Sequence, residues 1–197
     1  MSTTSASTAP ARRQENPAQR LARADLCRFL AACYYEPGPE FVEEQLFDSM
    51  CAAAERLDPE LAERARRLGK AFSDDYLDDL LVDYTRLFLG PVHALAQPYG
   101  CVWTNGETHV LPMYAEAGFE IDESFRDLPD HITAELEFLY VLIYQGGPEN
   151  LRKRFLQEQL GPWVRPFTQA VQAGAATAFY RELAALTERM VALEACR

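Results

Sequence analysis

Residues 73–91 read SDDYLDDLLVDYTRLFLGP and hold the strongest helical pattern of the chain. Ser73 stands at an N-cap position, and Gly90-Pro91 would end the helix. The apolar residues between them recur three and four positions apart, as on one face of a helix. They are Leu77, Leu80, Leu81, Tyr84, Leu87 and Phe88. An apolar face of that width predicts a helix that packs onto the core of a helical domain.

The other side of the same predicted helix is acidic. Asp75, Asp79 and Asp83 follow one another at four-residue spacing, where each like-charge pair costs about 0.2–0.5 kcal/mol. The positive end of the helix dipole offsets this cost for the first aspartates but not for Asp83. A stripe that costs helix stability hints at a use for these three residues, while a simply solvated face is the interpretation that their types alone favour.

Helical periodicity continues through most of the chain, and no apolar–polar alternation predicts a strand. The predicted helices outside residues 73–88 cover residues 20–35, a segment that begins near Glu40, and residues 59–69, 130–143, 149–160, 162–173 and 176–194, with short segments at 108–118 and 122–127. We therefore predict an all-α fold, a single-domain helical bundle of eight or more helices. It covers residues 19–197 and follows a disordered tail, residues 1–18, that is rich in Ser, Thr and Ala.

Two irregular features interrupt this helical pattern. Residues 89–107 contain several Gly and Pro breakers and predict a long irregular loop, which in a compact helical domain is usually functional or mobile. Asp130, which follows Leu128-Pro129, is the predicted N-cap of the second strong helix, with His131 in its first turn. At each feature a helix of the bundle adjoins an irregular segment, and binding residues often lie in such segments.

The charge of the chain is strongly acidic and unevenly distributed. The 197 residues include 19 Lys+Arg and 30 Asp+Glu, which gives a net charge of −11. Residues 25–140 hold 8 of the basic and 24 of the acidic residues. Phosphate backbones and anionic membrane surfaces would repel such a protein. The pattern favours a cationic partner, with a role in solubility alone as the alternative.

The sequence predicts a cytoplasmic protein. No apolar run of about 18 residues predicts a transmembrane helix. Arg12-Arg13 is not followed by the apolar core that a signal peptide needs. The five cysteines are scattered without a CxxC pair, which is typical of free thiols in a reducing compartment.

Motifs for catalysis or cofactor binding do not occur in the sequence. His131 and Glu135 lie one helical turn apart, but a metal site needs further ligands that the sequence does not place beside them. A nucleophile elbow, a phosphate-binding loop and a dinucleotide-binding glycine pattern are all lacking. The sequence therefore favours a binding protein without cofactors over an enzyme.

Three segments together resemble the TorD/DmsD/NarJ family of cytoplasmic chaperones for complex molybdoenzymes. They are residues 84–91 (YTRLFLGP), residues 114–119 (YAEAGF), and residues 129–132 (PDHI) with 135–139 (ELEFL) directly after. The resemblance covers roughly residues 20–195. One departure is that the Glu-Ser pair of the family's Pro-Tyr-Glu-Ser element is replaced by Gly100-Cys101, while Trp103 keeps the following aromatic.

The resemblance implies a function and a site. Such chaperones bind the N-terminal segment of an apo-enzyme, often a twin-arginine signal peptide, and delay export until the molybdenum cofactor is inserted. The partner implied is the apo catalytic subunit of a molybdopterin-dependent oxidoreductase, bound in an apolar groove with an acidic rim. The peptide-binding residues expected are Tyr84, Leu87, Phe88, Tyr99, Trp103, Pro129, Asp130, His131 and Glu135, with the rim formed by Asp75, Asp79 and Asp83.

In the chaperone interpretation Asp130 or Glu135 is expected to meet the client's arginines, and two other functions fit the sequence less well. In a small hydrolase, His131 would instead act as a base beside one of these carboxylates. A helical adaptor or scaffold unrelated to redox enzymes is the remaining alternative. Neither alternative requires a nucleotide or molybdopterin site, and the residues indicate none.

Overall fold

The computed structural model describes residues 16–38, 41, 45–90, 94–106, 108–123 and 125–197. Across these residues the protein is helical and has no strand apart from one isolated antiparallel bridge between Tyr99 and His131. The helices are α1 (Pro17–Cys33), α2 (Leu46–Glu55), α3 (Pro59–Asp74), α4 (Leu77–Tyr84), α5 (Gly100–Trp103), α6 (Val110–Ala117), α7 (Ile132–Tyr144), α8 (Glu149–Phe155), α9 (Gly161–Gly174) and α10 (Ala178–Ala195). The predicted all-α fold with eight or more helices is confirmed.

The core lies between α7 and its neighbours. The α7 helix packs most extensively against α1, while α10 packs against both α9 and α3. On α7, Leu136, Phe138 and Leu139 have no exposed surface, and on α1 the same holds for Leu26 and Leu30. Each such side chain stabilises the fold by about 1.5–3 kcal/mol relative to an exposed one. No described helix has the length and hydropathy that crossing a bilayer requires.

The helix predicted from residue 73 to residue 88 is wrong at its beginning. Ser73 is not an N-cap, because it lies in the last turn of α3, which ends at Asp74. Asp75 and Tyr76 then adopt extended backbone angles before α4 begins. The Asp75 carboxylate accepts a hydrogen bond from the Phe179 amide at 2.9 Å, near the N-terminus of α10. A contact distant in sequence therefore stabilises a break that local periodicity did not reveal.

Two π-helical segments prolong α4 and α8. The first, Thr85–Leu89, continues α4, and the second, Leu156–Leu160, joins α8 to α9 without a break. The predicted separation into helices 149–160 and 162–173 is therefore wrong. A Cβ atom at Gly161 would lie 2.1 Å from the Leu156 carbonyl oxygen, so the wide turn requires glycine at this position.

The remaining boundaries differ in smaller ways. The predicted loop 89–107 contains the short α5, and α3 extends past the predicted end at residue 69. Residues 122–127 are not helical where they are described. Asn16 caps α1, so residues 17–18 are helical rather than part of the predicted tail. Most of that tail, and the helix start predicted near Glu40, lie outside the described residues.

Candidate functional site

The predicted loop and the start of α7 lie side by side. The Ile132 amide donates to the Pro98 carbonyl at 2.8 Å, and the Gly100 amide donates to the Asp130 carbonyl at 2.9 Å. The Tyr114 hydroxyl adds a hydrogen bond to the Pro129 carbonyl at 2.9 Å. Two of the three family-like segments, residues 114–119 and 129–132, therefore meet the predicted loop at one junction.

At this junction Asp130 has a structural role that the sequence did not predict. It is not the N-cap of α7, because its carboxylate instead accepts the Cys101 amide at 2.7 Å. Only 3% of Asp130 is exposed. The carboxylate therefore holds α5 against α7 and does not meet a client's arginine in this conformation.

Glu135 is equally enclosed. Its carboxyl group accepts the Trp163 indole N–H at 3.2 Å, and only 1% of the residue is exposed. Burial raises the pKa of Glu135 well above its ordinary range, and the Trp163 hydrogen bond opposes this only in part. A Cβ atom at Gly100 would lie 3.0 Å from Trp163 Nε1 and 3.3 Å from Glu135 Oε1. A larger residue at position 100, such as the Glu of the family pattern, would therefore require these two side chains to move.

His131 supplies the N-cap that was predicted for Asp130. Its Nδ1 accepts the Thr133 amide at 3.2 Å, so the neutral imidazole carries its proton on Nε2. The ring lies between Tyr99 and Phe125, with centroid distances of 5.3 and 6.0 Å. Burial lowers the pKa of His131 to about 4, against the opposing effect of Asp127 and Asp130. At neutral pH the ring is therefore uncharged and has no free lone pair with which to act as a base.

The predicted peptide-binding residues from the first motif divide into two groups. Leu87 and Phe88 are core residues with 0% and 5% exposure, so a peptide cannot reach them in this conformation. Tyr84 is half-buried and packs edge-on against Phe88. Trp103 is also half-buried, and its indole N–H donates to the Gln97 carbonyl at 2.9 Å.

The predicted acidic rim is wrong as a shared surface. Asp83 is 1% exposed, and its Oδ2 accepts the amides of Ala176 and Thr177 at 2.9 and 2.8 Å. Its Oδ1 accepts Arg86 at 2.6 Å. Asp75 accepts a backbone amide of α10, as described above, and Asp79 alone of the three is exposed. Two of the three carboxylates therefore bind the chain's own backbone.

A cleft of about 400 Å³ opens beside the junction. We call it the aromatic–acidic cleft, and it is lined by Tyr35, Phe119, Glu120, Ile121, Asp122, Phe125, Arg126, Asp127, Ala134 and Glu137. Tyr35 follows the end of α1, Ala134 and Glu137 come from α7, and the segment after α6 supplies the others. Four of these described lining residues are acidic and one is basic, which makes the cleft attractive to cations.

Tyrosine hydroxyls orient two of the carboxylates in the aromatic–acidic cleft. Tyr35 donates to Glu137 at 3.4 Å, and Tyr99 donates to Asp127 at 2.8 Å. Burial and the nearby Glu137 raise the pKa of Tyr35 to about 12. Burial likewise raises the pKa of Glu137. Burial and Asp127 raise the pKa of Tyr84 to about 12, and of the predicted residues Tyr99 contacts the cleft directly through its hydrogen bond to Asp127.

An apolar groove of about 360 Å³ adjoins the same junction. It is lined by Cys101, Thr108, His109, Val110, Leu111, Pro112, Leu128, Pro129 and Asp130. Leu111 and Leu128 are 58% and 53% exposed, although both are large aliphatic residues. Pro129, predicted to bind peptide, is therefore placed at this groove.

Sequence analysis missed most of the aromatic–acidic cleft. Residues 119–127 read FEIDESFRD, and this interleaving of aromatic and acidic residues could have drawn attention to them. Nothing local marks Tyr35 or pairs it with Glu137, because the two lie 102 positions apart. Among the described residues, no three His, Cys, Asp or Glu side chains are grouped as they would be to hold a metal ion.

Comparison with known proteins gives consistent matches. The family model for the nitrate reductase delta subunit matches residues 54–169. Chaperone protein TorD of Escherichia coli K12 is 28% identical over 131 residues, which span 62% of this chain and 64% of that protein. Chaperone protein YcdY of the same species is 29% identical over 168 residues, covering 82% of this chain and 88% of YcdY.

The fold is also similar to a solved structure. The crystal structure of a putative redox enzyme maturation protein from Archaeoglobus fulgidus has a TM-score of 0.54 at 19% identity, covering 91% of this chain and 96% of that one. The resemblance drawn from residues 84–91, 114–119 and 129–139 is confirmed. Because the matching family model covers more than half of its length, this chain belongs to the nitrate reductase delta subunit family, with the TorD and YcdY chaperone proteins among its relatives.

Proposed function

We propose that this protein is a cytoplasmic maturation chaperone. It binds the N-terminal segment of the apo catalytic subunit of a molybdopterin-dependent oxidoreductase before cofactor insertion and export. Family membership and relatives that are themselves chaperone proteins support this proposal. The match with TorD spans just under two thirds of that relative, so we infer which part of the client is bound from the chemistry of the site.

The observation that carries the proposal is the aromatic–acidic cleft. A twin-arginine signal peptide carries guanidinium groups, which bind carboxylates in two-point contacts and stack on aromatic rings. Glu137 and Asp127 offer carboxylates, and Tyr35 and Phe125 offer ring faces. Residues 25–140, from which the whole cleft is built, contain 24 acidic residues against 8 basic ones. The cleft therefore has the charge and shape to receive one or two arginine side chains.

Partial burial makes Glu137 a favourable site for such a contact. Its raised pKa reflects the cost of keeping a carboxylate away from water. A guanidinium group bound beside Glu137 would offset this cost and stabilise the ionised form of its carboxyl group. A contact of this kind is typically worth more than an exposed ion pair, for which measured values are about 0–1 kcal/mol.

The hydrolase alternative has little support in the site. His131 is neutral, enclosed by two aromatic rings, and engaged through Nδ1 as a helix cap. Its two candidate carboxylate partners, Asp130 and Glu135, hold Cys101 and Trp163 respectively. These three residues stabilise the junction, and none of them is positioned to activate a nucleophile.

The test is affinity purification of tagged protein from its native host, grown while a molybdoenzyme is being made, followed by mass spectrometry. We expect recovery of a molybdoenzyme catalytic subunit that still has its uncleaved N-terminus. The variant Glu137→Gln should recover about tenfold less client, because the loss of one charged contact costs roughly 1.4 kcal/mol or more.

A matched control is Glu158→Gln, which removes an exposed glutamate from the π-helical segment and not from the cleft. Its recovery of client should equal that of the wild-type protein. Recovery of unrelated proteins alone by wild-type protein would overturn the chaperone proposal and favour the adaptor alternative. If Glu137→Gln recovers as much client as the wild-type protein does, the aromatic–acidic cleft is not part of the binding site.

A further inference from the structure

Adjacent basic residues occur at three places in the sequence. They are Arg12-Arg13, Arg66-Arg67 and residues 152–154. The five cations of the last two groups are all paired with glutamates, namely Glu63, Glu194, Glu149 and Glu116. Of the three groups, only Arg12-Arg13 lies outside the described residues. We call residues 1–15, which contain this pair, the arginine segment.

The two arginines dominate the chemistry of the arginine segment. It reads MSTTSASTAPARRQE, so its charged side chains are Arg12, Arg13 and Glu15. Most of the other residues are the small Ser, Thr and Ala, which offer a partner little surface. Guanidinium groups bind carboxylates in two-point contacts and stack on aromatic rings. The segment is therefore suited to a surface that combines both.

The aromatic–acidic cleft is such a surface. Its carboxylates Asp127 and Glu137 accept hydrogen bonds from the hydroxyls of Tyr99 and Tyr35, which are uncharged donors. Phe125 and Tyr35 supply ring faces. Four of the described lining residues are acidic and one is basic, so the cleft keeps a net negative charge. Charge and ring geometry are therefore complementary to a pair of arginines.

The arginine segment and the cleft of the same chain lie at opposite ends of α1. The segment meets α1 at the capping residue Asn16, whereas Tyr35 follows the other end of the helix. A helix of 17 residues is about 25 Å long. A fully extended backbone covers at most about 18 Å between Pro17 and Arg12. The backbone of the segment therefore cannot run the length of α1, and a second copy of the chain is the better-placed donor.

We propose that Arg12-Arg13 of one copy bind in the aromatic–acidic cleft of a second copy while no client is bound. This proposal rests on the proposed function, because it assigns a competitor to the same cleft. In an export signal an apolar region follows the arginines, whereas Gln14 and Glu15 follow them here. Two copies with a net charge of −11 also repel each other. The contact is therefore weaker than that of the client, which displaces it.

The experiment measures the anisotropy of a peptide with the sequence of residues 1–16, labelled with fluorescein at its N-terminus. The titrant is full-length protein with Arg12→Gln and Arg13→Gln, so that its own arginine segment does not compete. Adding Glu137→Gln tests the cleft, and adding the exposed Glu158→Gln is the matched control. A second peptide carries glutamine at both arginine positions. The competitor is the client peptide, the N-terminal segment of about 30 residues from the host's molybdopterin oxidoreductase.

Glu137→Gln should weaken binding of the labelled peptide by about tenfold, because one charged contact is lost. Glu158→Gln should leave this affinity unchanged. The glutamine peptide should bind at least about tenfold more weakly, and the client peptide should displace the labelled one. In sedimentation equilibrium the apparent mass of the wild-type protein should rise with concentration more than that of the protein with Arg12→Gln and Arg13→Gln.

Four results would contradict the proposal in distinguishable ways. If the protein binds the client peptide but not the labelled one, the proposal fails and the proposed function stands. If Glu137→Gln weakens only the client peptide, the arginine segment binds elsewhere. If wild-type protein stays monomeric but binds the client peptide more weakly than the protein with both arginine substitutions, the segment covers its own cleft and the assignment to a second copy is wrong. If neither peptide binds, the proposal and the proposed function both fail.

Discussion

Glu135 shows how a single buried carboxyl group can be misread from sequence. Its position one turn after His131 made it a candidate for meeting a client's arginine. The structure encloses it beside Trp163, with burial raising its pKa well above the ordinary value of 4.5. A folded state that holds a proton more tightly than the unfolded state loses stability as pH rises. At neutral pH Glu135 therefore lowers the free energy of unfolding, while its hydrogen bond with Trp163 orders the junction.

The first prediction at this scale concerns Glu135→Gln. The contribution of Glu135 to the free energy of unfolding should fall as pH rises above 4.5, until the pH passes the raised pKa of Glu135. The glutamine keeps a hydrogen-bond acceptor for Trp163 but cannot ionise. The variant should match or fall below wild type near the ordinary carboxyl pKa and exceed it by about 1–3 kcal/mol at neutral pH and above. Urea denaturation across this range measures the difference, and a pH-independent difference would contradict the assignment.

At the scale of elements, Asp83 acts as a clamp between two helices. It lies on α4 and accepts the amides of Ala176 and Thr177 and the Thr177 hydroxyl at 2.8–2.9 Å, at the N-terminus of α10. Burial raises the pKa of Asp83, but these hydrogen bonds and that of Arg86 outweigh it, so the pKa is lowered overall. An acidic residue at this position therefore binds the backbone just before a helix distant in sequence instead of facing solvent.

Asp83→Ala should lower the free energy of unfolding by about 2–4 kcal/mol, because it leaves the buried amides that Asp83 accepts without their partner. Asp79→Ala, one turn earlier and exposed, is the matched control and should change stability by less than about 0.5 kcal/mol. Since the pKa of Asp83 is lowered, its contribution is present above the ordinary value of 3.8 and is lost as pH falls through the lowered pKa. Equal effects of the two variants in urea denaturation would refute the clamp.

At the scale of the whole molecule, net charge affects the association of a peptide more than any single contact does. A net charge of −11, concentrated in the part of the chain that forms the aromatic–acidic cleft, creates a field that attracts cationic segments from a distance. Such steering raises association rates and is screened by salt. Dissociation of a bound peptide depends on short-range contacts and is expected to be less sensitive to salt.

The association rate of the arginine-containing client peptide should therefore fall by about tenfold between about 0.05 M and 0.5 M salt. Its dissociation rate should change by less than about threefold. Stopped-flow fluorescence measures both rates. The peptide with glutamine in place of arginine should lose most of this salt dependence, and equal salt slopes for the two peptides would show that steering does not act on the arginines.

Much of the helical framework was predictable, because its signals are local. The apolar spacing around Leu136 and Leu139 predicted α7, and the caps and breakers placed most other helices within a few residues. The break at Asp75 and the helix continuous through Gly161 were not predictable in this way. The first depends on α10, and the second on a wide turn that no spacing rule reveals.

The sequence by itself determined the all-helical class, the acidic character and the family, because periodicity, composition and motif spacing are properties of the chain read in order. Only the tertiary structure decided which side chains remain accessible, because burial depends on segments that are distant in sequence. It enclosed Asp130 and Glu135 within the junction and turned Asp83 towards α10. It also brought Tyr35 to Glu137 across 102 positions and so created the aromatic–acidic cleft.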